Sequence, residues 1–173
     1  MKKFLKLSLI AGFMITAFSA SAQQPTKKAP LSPPYTVRAT TKKGVAIEVA
    51  YSQPSVKGRT IGTDLAPYGK VWRTGANNAT TITLSKDVKV EGKALAAGKY
   101  AIYTIPSEKE WVIIFNKGVK NWGTVYKEEE DVLRVTVKAE KAPAFVEQFK
   151  FMIDPAGKVS FAWGDKLAAF NVK

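Results

Sequence analysis

The sequence predicts an all-β protein: a single antiparallel β-sandwich of about eight to ten strands, with a jelly-roll-like arrangement as one variant. Residues 45–51 alternate apolar and polar side chains, the period of two that is typical of a strand with one buried face. Residues 80–84, 99–105 and 111–115 are short runs rich in β-branched and aromatic side chains. Turn-forming residues separate these runs at short, regular spacing. The one helical candidate, residues 142–148, is too short to stand as a helix.

The first 22 residues have the organisation of a secretory signal peptide. Three lysines form a basic start, residues 7–18 form an apolar core, and Ala20-Ser21-Ala22 is a small-x-small cleavage site. The apolar run is shorter than the roughly 20 residues that a membrane-spanning helix requires. We therefore expect residues 1–22 to be removed, leaving a mature chain that begins at Gln23 and has no transmembrane segment.

The absence of cysteine bears on the compartment and on stability. A bacterial lipoprotein needs a cysteine directly after its cleavage site, so we expect a periplasmic or secreted protein that is not a lipoprotein. Without disulfides the domain must be stabilised by burial alone. A chain of about 150 residues buries roughly 68–70% of its unfolded surface, which is enough for one stable domain.

The mature chain divides into an arm and a domain. Residues 23–34, QQPTKKAPLSPP, contain four prolines among polar residues, a composition typical of a linker. Residues 35–173 are expected to form the β-sandwich. Two long segments, Ser52–Ala79 and Lys117–Asp131, interrupt the strand pattern, and loops of more than about 12–15 residues are usually functional. Further strands are predicted at 132–137, 149–153, 159–163 and 167–172.

Composition restricts the chemistry. The chain has no histidine and no cysteine, which excludes Ser-His-Asp and Cys-His catalysis and the common zinc and copper sites. We assign no catalytic residue, no metal and no cofactor. After loss of the signal peptide, 24 basic residues face 14 acidic ones, a net charge of +10. The charge is consistent with attraction to an anionic partner, but the lysines are scattered and solubility is the favoured explanation. Nucleic acid is not expected as a partner because no recognised binding motif is present.

Several motifs, taken in order, resemble a known family. They are Tyr51-Ser52-Gln53-Pro54, Lys57-Gly58-Arg59, Pro67–Asn77 (PYGKVWRTGAN), Ala97-Gly98-Lys99-Tyr100, Trp111–Lys117 (WVIIFNK) and Asp131-Val132-Leu133-Arg134. In this order they resemble the bacterial secreted family known as domain of unknown function 2911, over roughly residues 31–173. The resemblance implies an exported single β domain and implies no activity.

The most informative stretch for function is residues 67–80, PYGKVWRTGANNAT, which combines turn-forming, aromatic, cationic and amide side chains. Such clusters on loops tend to form binding sites. We expect a non-catalytic binding module of the envelope or the secreted fraction, for a glycan or an anionic small molecule. The candidate ligand-binding residues are Arg59, Tyr68, Trp72, Arg73, Asn77, Asn78 and Asn116.

The arginines allow two interpretations. The mature chain has four arginines against twenty lysines, and arginine offers a planar fork that binds carboxylate or phosphate at two points. In the functional interpretation Arg59 and Arg73 line a pocket for an anion. In the structural interpretation, which the sequence favours, one of them pairs with Asp64 or Asp131 and fixes the long loops. Asp64, Asp131 and Arg134 are the residues assigned to structural ion pairs.

Two other classes of function stay open. A carboxylate-based hydrolase would need two acidic groups about 5–10 Å apart across one bond, with candidates Glu48, Asp64, Glu110 and Asp131. A protein-interaction domain of an envelope assembly would show an exposed apolar patch and no concave polar pocket. The acidic run Glu128–Asp131 lacks the spacing of a calcium loop and is interpreted as a solvated loop.

Overall fold

The computed structural model describes residues 31–173, so the predicted signal peptide and residues 23–30 of the predicted linker lie outside the described residues. This part of the chain forms nine strands and a single 3-10 turn at Glu128–Glu130. The strands are β1 (Pro34–Thr40), β2 (Ala46–Ser52), β3 (Thr80–Leu84), β4 (Val88–Val90), β5 (Lys93–Leu95), β6 (Gly98–Pro106), β7 (Glu110–Asn116), β8 (Asp131–Ile153) and β9 (Lys158–Asn171). The all-β class and the strand number are confirmed. Across residues 31–173, no helix has the length and apolar character needed to cross a membrane.

Seven strands form one antiparallel sheet in the order β1-β2-β3-β6-β7-β8-β9, and β4 and β5 form a separate hairpin. The sheet is curled, and strand β8, which is 23 residues long, pairs with its two neighbours along different parts of its length. Its first part pairs with β7, and residues 139–153 pair with β9 through register shifts at Lys141/Val146 and Val146/Lys150. Bulges of this kind bend and twist a strand. One curled sheet replaces the two facing sheets expected from the sequence, so the sandwich is not confirmed.

The segment after β2 joins the two ends of the curl. The backbone N–H of Val56 donates to the Glu147 carbonyl at 2.9 Å, and that of Phe149 donates to the Pro54 carbonyl at 2.9 Å. The buried hydroxyl of Tyr51 also accepts a hydrogen bond from the Phe151 N–H at 3.0 Å. These contacts bring the beginning of the long Ser52–Ala79 segment against the distal half of β8.

The curl encloses an aromatic core. Strand β2 turns Ile47, Val49 and Tyr51 inward at every second position, as its alternation predicts. Strand β7 is apolar on both faces because it lies between β6 and β8, with Ile114 packing in a second cluster on the opposite face of the sheet. The largest fully buried side chains include Trp111, Tyr103, Phe115, Phe149, Phe161 and Phe170.

The two long segments meet on the surface. The N–H of Gly123 donates to the Asn77 carbonyl at 3.2 Å, and Asn78 forms an isolated antiparallel bridge with Trp122. We call this pair of backbone contacts the loop seam. It places Lys117–Asp131 directly beside the Trp-Arg-Thr-Gly-Ala-Asn motif.

Candidate functional site

Trp72 is held as a short extra strand beside β6. Its N–H donates to the Thr104 carbonyl at 2.7 Å, and the Thr104 N–H donates back at 2.8 Å. The indole turns into the core and stacks on Trp163, with ring centroids 5.4 Å apart and planes 10° from parallel. It also meets Phe149 and Trp111 edge-on. The Trp-Arg motif is therefore anchored by its tryptophan.

The turn after Arg73 is fixed by Thr74. Thr74 is fully buried and has φ of +51°, a left-handed conformation that is strained for a β-branched residue. The Thr80 hydroxyl donates to the Thr74 carbonyl at 2.9 Å, and the Thr74 hydroxyl lies 3.2 Å from that of Thr104. Strained backbone of this kind persists only where its surroundings hold it, and it clusters at binding and catalytic sites.

A cavity of about 610 Å³ opens beside this turn, between the Ser52–Ala79 segment, the start of the described chain and β9. We call it the arginine cavity. Its volume falls within the range of about 300–1,000 Å³ that is usual for small-molecule sites. Its polar lining comes from Ser32, Arg59, Asp64, Arg73 and Asn77, and its aromatic lining from Trp72 and Trp163.

Neither arginine of this cavity has an acidic partner among residues 31–173. Arg59 is exposed and folds back on its own turn, donating from Nε to the Val56 carbonyl at 3.1 Å and from Nη2 to the Ser55 carbonyl at 2.9 Å. Carbonyl groups accept from two of its five N–H donors and leave its charge unneutralised. Arg73 lays its aliphatic stem against Gly123, where a Cβ atom would overlap it.

The other two described arginines are both paired. Arg38 contacts Glu48 at 2.7 Å on the exposed outer face of the sheet. Arg134 contacts Asp131 at 2.7 Å and Glu128 at 2.9 Å. Arg59 and Arg73 therefore differ from Arg38 and Arg134, each of which contacts a carboxylate.

Two buried N–H donors at the cavity lack a partner. The Arg73 Nε–H and the Trp163 Nε1–H are buried and donate to no acceptor within the described residues. Buried polar groups are nearly always paired, and leaving one unpaired costs about 1–3 kcal/mol. Both residues line the arginine cavity, although these two nitrogen atoms are themselves shielded from solvent.

The cavity also offers acceptors. Asp64 accepts a hydrogen bond from the Thr60 N–H through Oδ2 at 2.9 Å. Asn77, with φ of +61°, donates from Nδ2 to the Ser32 carbonyl at 3.2 Å. This last contact ties the Trp-Arg-Thr-Gly-Ala-Asn turn to residues assigned to the linker, and Pro34 already belongs to β1, so the folded part begins before Tyr35.

The ion pair expected between Asp64 and an arginine is not observed within residues 31–173. The Asp64 carboxylate closes its own turn through Thr60 instead, which is the local role that aspartate commonly takes in loops. Asp131 and Arg134 do contact each other, three residues apart along β8.

Three of the predicted ligand-binding residues lie outside the arginine cavity. Tyr68 packs its ring against Gly62, where a Cβ atom would overlap it. Asn78 lies in the loop seam. Asn116 is fully buried, donates from Nδ2 to the Lys127 carbonyl and to Asp131 Oδ1, both at 2.8 Å, and accepts from the Gly118 N–H at 2.7 Å.

Asn116 belongs to a polar network that closes the Lys117–Asp131 loop. The Tyr126 hydroxyl donates to Asp131 Oδ2 at 2.7 Å and accepts from Arg134 Nη2 at 2.7 Å. Burial, together with the hydrogen bond to Asp131, raises the pKa of Tyr126 to about 12. The hydrogen bond to Asp131 also raises the pKa of Arg134 further above its ordinary value.

The four acidic candidates for hydrolysis are dispersed. Glu48 pairs with Arg38 on the outer face, Glu110 is exposed at the start of β7, and Asp131 is engaged by Tyr126. Asp64 is the sole carboxylate that lines the arginine cavity in the described chain. Within residues 31–173 no group of three or more His, Cys, Asp or Glu side chains is placed to hold a metal ion.

Trp163 is the site residue that sequence reasoning missed. Its place in an alternating strand indicates a core residue, and it is 3% exposed, yet it also forms a wall of the cavity. No local pattern distinguishes this position from Phe161, two residues earlier. Its role depends on the curl that brings β9 to Trp72.

These features define an all-β domain with an arginine-lined cavity built on its longest loop. A family model described as "Protein of unknown function (DUF2911)" matches residues 32–172, and the chain belongs to this family. No curated protein and no solved structure is significantly similar to it.

Proposed function

We propose that this protein is an exported, non-catalytic binding module of the periplasm or the secreted fraction, and that it holds an anionic ligand, a glycan or a small acid, in the arginine cavity. The observation that carries the proposal is the pairing of Arg59 and Arg73 in one cavity without an acidic partner among residues 31–173. A carboxylate or phosphate would supply the missing counter-charge and accept from both guanidinium groups.

The remaining lining residues fit a polyhydroxylated anion. Hydroxyl groups both donate and accept, and the cavity offers Asp64 as an acceptor and Asn77 as an amide. With two arginines and one aspartate, the charged lining has a net positive charge. The ring of Trp72 provides an apolar wall for the non-polar face of a ligand.

The test is a thermal-shift screen of the mature protein, residues 23–173, with acidic and neutral sugars, phosphorylated metabolites and dicarboxylic acids. A ligand at a hundred times its Kd stabilises by about 2.7 kcal/mol, or roughly 5–10 °C in Tm for a domain of this size. We expect shifts with acidic compounds only, and their loss in Arg59→Gln and Arg73→Gln.

Arg38→Gln is the matched control, because Arg38 is an arginine on the outer face of the sheet, away from the cavity. If an acidic compound stabilised Arg59→Gln and Arg73→Gln as much as the parent chain, the cavity would not be its site. If no anion shifted the parent chain, the proposed function would be wrong.

Export is the other part of the proposal and has its own test. Expression of the full chain in a bacterial host, followed by N-terminal sequencing of the product, should give a chain that begins at Gln23 in the periplasm or medium. Retention of Met1 on protein in the cytoplasm would contradict it. Ala20→Arg and Ala22→Arg, which alter the small-x-small site, should block the processing.

A further inference from the structure

A second cavity, of about 360 Å³, lies on the other side of Arg73, and we call it the tyrosine cavity. It shares Trp72 and Arg73 with the arginine cavity. Its remaining side chains include no charged group, and four of them are Val71, Tyr103, Thr124 and Tyr126. The two cavities are therefore adjacent, with one arginine common to both.

The aromatic walls of the tyrosine cavity are fixed in position. The Tyr103 hydroxyl donates to the Val125 carbonyl at 3.1 Å, and the Tyr126 hydroxyl is held between Asp131 and Arg134. The two rings meet edge to face with centroids 5.0 Å apart. Tyr103 is fully buried behind this wall, so the aromatic surface that the cavity presents comes from the half-buried Tyr126 ring, and the non-polar face of a sugar ring fits such a surface.

The entrance is formed by exposed residues. Val71 and Thr124 are both exposed, and Trp122, one residue before the lining Gly123, exposes 56% of its surface. Gly123 is required here because Arg73 and the Asn77 carbonyl occupy the space that a side chain would need. Arg73 thus runs along the boundary between the charged cavity and the aromatic one.

We infer that the two cavities are neighbouring subsites for an acidic oligosaccharide of at least two sugar units. This inference rests on the proposed function and specifies its ligand class. The carboxylate of one unit is bound by Arg59 and Arg73 in the arginine cavity. The adjacent unit lies against the Tyr126 ring of the tyrosine cavity, and the bond between the units passes Arg73.

The experiment is isothermal titration calorimetry of the mature exported protein with galacturonate and its dimer and trimer, and with glucuronate and hyaluronan-derived oligosaccharides. In at least one series we expect the two-unit compound to bind about tenfold more tightly than the single acid. Thr124→Trp, which fills the tyrosine cavity from its exposed rim, should abolish that gain while leaving the affinity for the single acid unchanged. Thr136→Trp, at an exposed position on β8 outside both cavities, is the control.

The outcomes separate this inference from the proposed function. Arginine-dependent binding of single acids with no gain from a second unit, or a gain that survives Thr124→Trp, would overturn the two-subsite inference and leave the arginine cavity as a binding site. Arginine-dependent binding of phosphorylated metabolites or dicarboxylic acids without any uronate binding would do the same. Absence of binding by every anion would overturn both.

Discussion

Trp72 and Trp163 stack face to face, 5.4 Å apart, although 91 residues separate them in the sequence. The contact joins the Ser52–Ala79 segment to β9 and forms the aromatic wall of the arginine cavity. The Trp72 ring therefore packs against the core and also lines the cavity, so its substitution should change the stability of the domain as well as the cavity.

We expect Trp72→Ala to destabilise the domain by about 3 kcal/mol, the lower end of the usual cost of removing a large core aromatic side chain, because Trp72 is half-buried. Urea unfolding followed by circular dichroism would measure it. Trp122→Ala is the comparison, since Trp122 is exposed and its loss should change the free energy of unfolding by less than about 1 kcal/mol. Equal losses in the two variants would show that the stack contributes no special stability.

Arg73→Met separates binding from stability. Methionine retains an apolar stem beside Gly123 and removes the buried Nε that has no partner within the described chain. We expect a gain of about 1 kcal/mol in the free energy of unfolding, because an unsatisfied buried donor is removed, together with loss of anion binding. A large loss of stability would instead mark Arg73 as a structural residue and would contradict its assignment to the ligand.

Asn116→Ala should act on stability alone. The substitution leaves the Gly118 N–H, the Lys127 carbonyl and Asp131 without their partner, at an expected cost of about 2–4 kcal/mol. Because Asn116 is buried outside both cavities, the Kd of the folded fraction for an acidic ligand should equal that of the parent chain. A weakened Kd at a temperature where the variant is fully folded would return Asn116 to the ligand site.

The raised pKa of Tyr126 predicts that the folded protein loses stability at high pH. Its pKa is about 12 in the folded protein against an ordinary value of 10.0, so the folded state retains the phenol proton more strongly than the unfolded state. Its contribution is fully present below pH 10 and is lost as pH rises through 12. Burial also raises the pKa values of Tyr51 and Tyr103, so their ionisation at high pH should lower the free energy of unfolding further.

Spectrophotometric titration of the tyrosines is the measurement, with Tyr126→Phe as the control. The variant should lack one late-ionising tyrosine, and its free energy of unfolding should fall less steeply between pH 10 and 12 than that of the parent chain. If the tyrosine that is missing from the titration of the variant were one that ionises near the ordinary value of 10, the Tyr126–Asp131 contact would be absent in solution.

The secondary structure was largely predictable because it depends on neighbours in the sequence. Alternation over 45–51 and the apolar run at 111–115 both became strands at those positions. The curl of the sheet was not predictable, since it follows from bulges in β8 between Lys141 and Lys150 that no alternation pattern reveals.

The site was predictable in part for the same reason. Arg59, Trp72, Arg73 and Asn77 all lie in one long loop, and the structure brings them to one cavity. Trp163 enters that cavity only through tertiary packing. Asn116 was assigned by residue type, and its burial depends on the network that closes the neighbouring loop.

The loop seam has a kinetic consequence. It consists of one backbone hydrogen bond of 3.2 Å and one isolated bridge, so the two long segments can part without breaking any pairing of the seven-stranded sheet. Openings that disrupt so few contacts require little free energy and occur far more often than global unfolding. The amide of Gly123 should therefore exchange with solvent much faster than those of β6.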